Sequence, residues 1–102
     1  MTFNEIQQGI MKVAESYSSK YGITIDQDFA LLKLYEEVGE FAQSVLIHRK
    51  KSRPEKYATE QETKEMVAHE LADIVGLAII NANLFGIDLQ QALEDKWFSK
   101  IQ

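Results

Sequence analysis

Apolar residues along the chain recur every three or four positions, the spacing that lines one face of an α-helix. Phe3, Ile6, Ile10, Val13, Tyr17 and Tyr21 set the first stripe. Thr2 and Glu5 precede it as a capping box, and Gly22 stands where such a helix would close. Leu31, Leu34, Val38, Phe41 and Val45 predict a second helix that starts near Asp26 or Asp28. It runs out in His48-Arg49-Lys50-Lys51, where cations suit a helix C-terminus. Ser52 to Ala58 contain the single proline and read as a loop. Thr59 and Glu62 form a second capping box, after which Val67, Leu71, Ile74, Val75 and Ala78 carry a third helix to Gly86. Asp88 and Gln91 cap a fourth, with Leu89, Leu93, Trp97 and Ile101 on its apolar face. Strand-like alternation is absent. The pattern predicts an all-α fold, a four-helix antiparallel bundle formed by one domain over residues 1–102.

Composition narrows the class. A chain of 102 residues is the size of one hydrophobic core. Its net charge of −5 argues against a nucleic-acid polymer as partner, which would call for a basic face. Without cysteine there is neither a disulfide nor a thiolate metal site. The most apolar uncharged run, Ile74 to Ile87, includes Asn81, Asn83 and two glycines, and falls short of the ~20 apolar residues that span a bilayer. The opening MTFNEIQQGI lacks the basic and apolar blocks of a signal peptide. No membrane association is therefore expected, and the expected location is the cytoplasm.

The acidic residues are grouped. Glu36, Glu37 and Glu40 lie on the second helix, Glu70 and Asp73 on the third. Glu37 with Glu40, and Glu70 with Asp73, are three apart, so each pair shares a helix face. Counted from the connecting loop, both pairs stand at similar heights, roughly 14 Å along the hairpin for Glu40 and Glu70. Antiparallel packing would set Glu40 against Glu70 and Glu37 against Asp73. Like charges converging beside apolar stripes repel and raise one another's pKa values. A divalent cation removes that conflict, and an all-oxygen donor set favours Mg²⁺, with Mn²⁺ as the alternative.

At these residues the sequence resembles the MazG-like, all-α nucleoside triphosphate pyrophosphohydrolases. The family pattern E-E-x-x-E followed by E-x-x-D reads here as Glu36–Glu40 (EEVGE) and Glu70–Asp73 (ELAD), preceded by Lys33-Leu34. The ending NLFGIDLQQALEDKWFSK is similar to the family's GIDL-x-x-AL-x-x-K tail, so the likeness covers about residues 29 to 100. The spacer over residues 41–69 is at the long end for the family. The resemblance implies Mg²⁺-dependent hydrolysis of a (deoxy)nucleoside triphosphate to a monophosphate and pyrophosphate, a reaction that clears unwanted nucleotides. Glu37, Glu40, Glu70 and Asp73 would be the metal ligands, and Glu36 or Glu37 would orient or deprotonate the attacking water. Lys96 and Lys100 match family lysines that approach the substrate.

Other residues have competing readings. Lys33 either meets a phosphate or pairs with Glu37 one turn away. Asn81, two turns beyond Asp73, either contacts the sugar or serves the core edge. Trp97 stacks on a base or belongs to a packing face. His69-Glu70-Leu71-Ala72-Asp73 lacks the second histidine of a zinc protease helix, and neither acidic pair contains the E-x-x-H of a di-iron bundle. Helix 2 also carries Phe29, Leu32, Tyr35 and Leu46 off its main stripe, and helix 3 adds Leu77, Ile80 and Leu84. One neighbouring hairpin cannot cover both sets, so a homodimer or homotetramer is expected to complete the bundle. The competing functional class is a non-catalytic helical module that binds a partner through these stripes.

Overall fold

The computed structural model describes residues 1–101, and among these the protein is helical without a strand. Four α-helices follow one another: α1 Phe3–Tyr21, α2 Gln27–His48, α3 Glu60–Leu84 and α4 Leu89–Trp97. Each N-terminus is closed by the side chain its sequence supplies. In the pairs Thr2–Glu5 and Thr59–Glu62, each residue's backbone N–H donates to the other's side-chain oxygen at 3.0–3.2 Å. Asp26 accepts from the Phe29 N–H at 2.9 Å, and Asp88 from that of Gln91 at 3.0 Å. Such caps contribute about 1 kcal/mol each by satisfying N–H groups that have no partner within the helix. At the other ends, Gly22 and Gly86 turn the chain with φ of 62° and 68°, where a side chain would be strained.

Two details depart from the sequence pattern. Pro54–Lys56 forms a turn of 3₁₀ helix inside the expected loop, with proline at its first position. The fourth helix tightens into 3₁₀ geometry at Phe98–Lys100 rather than continuing as α-helix to Ile101.

α2 and α3 form an antiparallel hairpin stitched along its whole length. The Gln27 side chain donates to the Leu84 carbonyl, the Asn81 amide donates to the Ala30 carbonyl, and the His48 ring bonds the Thr63 hydroxyl. In all three pairs the residue numbers add to 111, so one register holds from end to end. The Thr63 hydroxyl donates to the Glu60 carbonyl, which leaves it to accept from His48 Nδ1–H. α1 packs across α3, whereas α4 runs on past Gly86 and barely touches the other helices. The all-α expectation holds, but a single chain does not close a four-helix bundle.

The enclosed core is small: among the described residues, Ala14, Ala30, Ile47, Ile79 and Ala82 are its buried apolar residues. The radius of gyration is 16.1 Å, against about 13 Å for a compact domain of this length. The accessible surface is 7703 Å², while a folded monomer of this mass exposes about 5,900 Å². Much of the surplus is apolar. Leu31, Tyr35, Val38, Leu71 and Val75 stand open on the hairpin, and Leu93, Trp97 and Phe98 on the C-terminal arm. α3, at 25 residues, is long and apolar enough by length and composition to cross a membrane. The run Ile74–Ile87 thus overlaps only the C-terminal part of a longer apolar helix, one that carries Glu70 and Asp73 where lipid would make charge costly.

Candidate functional site

Glu37 is the centre of the acidic cluster. Carboxylate oxygens of Glu37, Glu70 and Asp73 lie within 4.8 Å of one another, and those of Glu36, Glu37 and Glu40 do the same. Glu37 and Asp73 come together as expected, but Glu70 joins them instead of pairing with Glu40, so two sets share Glu37. Register explains the change. Glu37 stands opposite Ile74, so the carboxylates one residue and one turn before Ile74, Asp73 and Glu70, both reach it. Glu40 stands opposite Leu71 and remains on the exposed side with Glu36.

Glu37 and Glu70 are half-buried, and the Oε2 atom of each is shielded from solvent without a hydrogen-bond partner. Burial, then the charges of Glu40 and Asp73, push the Glu37 carboxyl up to about 7. When protonated it can donate to Glu40 or Glu70; when ionised, the cluster contains no donor for these oxygens. Two shielded oxygens without donors, in an all-carboxylate set, fit a hard divalent cation.

Lys33 is bonded to Glu36 at 3.1 Å, three residues on, and not to Glu37 as the one-turn spacing suggested. Glu37 has turned inward to α3, which leaves Glu36 as the partner. That hydrogen bond raises the Lys33 pKa. The same ammonium lies 6.0 Å from the Phe29 ring centroid, at the junction between acids and aromatic surface. Asn81 is held by its own amide, which donates to Ala30 at 3.1 Å and to Leu77 at 2.8 Å. Its position joins α2 to α3 and does not line the cleft. Lys96 and Lys100 belong to the C-terminal arm, away from the acids' lining, with Lys100 5.5 Å above the Trp97 ring.

The principal feature that sequence reasoning missed is a cleft of about 540 Å³ between α1 and the hairpin. Lys33, Glu37 and Asp73 line its charged end; Val13, Tyr17, Phe29, Leu77 and Ile80 line the rest. Phe29, Leu77 and Ile80 thus form the wall facing α1, whereas Leu32, Tyr35 and Leu46 are left exposed. The Tyr17 and Phe29 rings are tilted with centroids 6.4 Å apart. Val13 and Tyr17, one turn apart on α1, were the available signal: an apolar stripe in want of a partner surface. The volume suits a small molecule of nucleotide size. Comparison with known families, with curated proteins and with solved structures finds no match in any of the three.

Proposed function

We propose that the protein is a Mg²⁺-dependent nucleoside triphosphate pyrophosphohydrolase that acts as a homo-oligomer, in keeping with its resemblance to the MazG-like enzymes. The observation that carries this reading is the pair of solvent-shielded, unpartnered oxygens of Glu37 and Glu70, in a cluster whose Glu37 and Asp73 line the charged end of a nucleotide-sized cleft. Glu37, Glu70 and Asp73 would hold the cation, with Glu40 completing the set from the exposed side. A bound Mg²⁺ would supply charge neutralisation for the triphosphate and lower the pKa of its water. Glu36, outside the inner set, orients the attacking water, and Lys33 beside it meets a phosphate. This division of labour suits phosphoryl chemistry, which needs positioning and charge stabilisation above all.

Oligomerisation rests on area. The surplus of about 1,800 Å² over a compact monomer is about twice the 800 Å² or so that each partner contributes to a standard interface. A non-catalytic module would account for the exposed hairpin face, but gives no reason for two shielded carboxylate oxygens without donors. The deciding experiment is a panel of (d)NTPs with Mg²⁺, assayed for both pyrophosphate and orthophosphate. Pyrophosphate should appear first, and Asp73→Ala should abolish it. Orthophosphate as first product would reassign the reaction, and no turnover across the panel would favour the interaction module.

A further inference from the structure

Gly76 sits in the middle of α3, where glycine costs about 1 kcal/mol relative to alanine. Nothing in the chain uses its missing side chain: a Cβ built there would meet no atom within 4 Å. Its φ is not in the left-handed region that would require glycine. Gly9 and Gly39 are open in the same way, but only Gly76 lines the cleft. There it is one helical turn beyond Ala72 and three residues beyond Asp73, so α3 presents a shallow, nearly side-chain-free strip next to the acids. Tyr17 from α1 and Phe29 from α2 line the same space.

We propose that Gly76 is a specificity-determining residue: it keeps open a slot in which the planar base of the nucleotide lies against α3, with Tyr17 and Phe29 as its aromatic surface. This rests on the pyrophosphohydrolase reading, since the acids beside the slot are taken to receive the phosphates. Among the described lining residues the aromatic part of the slot offers one neutral hydrogen-bonding side chain, the Tyr17 hydroxyl. The slot therefore selects a flat ring of suitable thickness and reads its edge weakly. Stacking of a base on an aromatic side chain accounts for roughly a 5- to 150-fold change in affinity.

The test is calorimetric binding, in Mg²⁺, of α,β-methylene analogues of the common nucleotides and of inorganic triphosphate, which has no base. The wild-type protein should bind the analogues at least about tenfold more tightly than inorganic triphosphate. Gly76→Leu should abolish that preference, and Gly76→Ala should reduce it, both leaving triphosphate affinity unchanged. Because the space is open and glycine is a poor helix former, both variants should melt no lower than wild type. Equal nucleotide binding by wild type and Gly76→Leu would overturn the slot. Analogues no tighter than inorganic triphosphate would also overturn it, while leaving the metal site standing. If neither ligand binds, the pyrophosphohydrolase reading falls and the slot with it. A drop in light-scattering mass for Gly76→Leu would assign the space to a second copy of the chain and refute the proposal.

Discussion

Replacing Glu37 by Gln should stabilise the metal-free protein at alkaline pH while removing its response to Mg²⁺. The Glu37 carboxyl stands at about 7, against 4.5 for an unperturbed glutamate. Between these values the folded protein holds a proton that the unfolded chain has released, so stability falls as pH rises through that window. At 1.36 kcal/mol per unit the whole difference is about 3 kcal/mol; with the rim of the cluster open to water, roughly 1–2 kcal/mol is expected. Gln is neutral throughout, and its amide can donate to Glu40 or Glu70, so the variant escapes this loss. For a domain of this size, 1 kcal/mol moves the melting temperature by roughly 4–8 °C. Thermal unfolding in EDTA, at one protein concentration, should show similar stabilities at about pH 4, below both values, and Glu37→Gln about 5–15 °C ahead at pH 8. Millimolar Mg²⁺ should then raise the wild-type melting temperature and leave the variant where it was. A variant less stable than wild type at pH 8 without metal, or a difference independent of pH, would refute the reasoning.

Mg²⁺ or Mn²⁺ should raise the wild-type melting temperature by mass action, and Glu70→Gln should weaken that rise while the helical circular dichroism stays intact; no shift at millimolar metal would count against the site. Asn81→Leu should cost about 1–3 kcal/mol in chemical denaturation, because the amide bonds to Ala30 and Leu77 are lost within the hairpin. Its metal-induced shift should equal that of wild type, and a lost shift would place Asn81 in the site after all. Light scattering at micromolar concentration should report a dimer or tetramer, and Val38→Glu on the exposed hairpin face should reduce that mass; fully active wild-type protein near 11.7 kDa would exclude the oligomer.

Helix boundaries were legible because they depend on residues close in sequence. Thr2, Asp26, Thr59 and Asp88 cap the helices that their positions predict, and the caps need no information from elsewhere in the chain. The acidic cluster was legible almost to the residue, since helical rise converts sequence distance into height with little error. The remaining misplacement, Glu70 beside Glu37 rather than against Glu40, came from a shift of one residue in register. That register depends on Gln27, Asn81 and His48, whose partners cannot be named before the hairpin forms. The cleft was the least legible part. Val13 and Tyr17 show that α1 has an apolar face, but the angle at which that face meets α3 leaves no periodic trace. The open arm of α4 was hidden for a similar reason: amphipathic spacing shows that a helix wants cover, without showing whether its own chain provides it.

The common register of the hairpin has a bearing on which changes of length the protein can absorb. Residues 49–59 connect two helices already aligned by bonds at both ends, so adding a few residues there would cost only the slow logarithmic increase of loop closure. A single residue removed between Ala30 and Glu37 would behave differently. With Asn81 still holding Ala30, everything beyond the deletion would rotate by about 100° and retreat by about 1.5 Å. Glu37 would leave the α3 side, Val38 would take its place, and the acidic centre would be lost although every carboxylate remained in the chain. Variation in length should therefore collect in the loop and be excluded from the two turns of α2 that lead to Glu37.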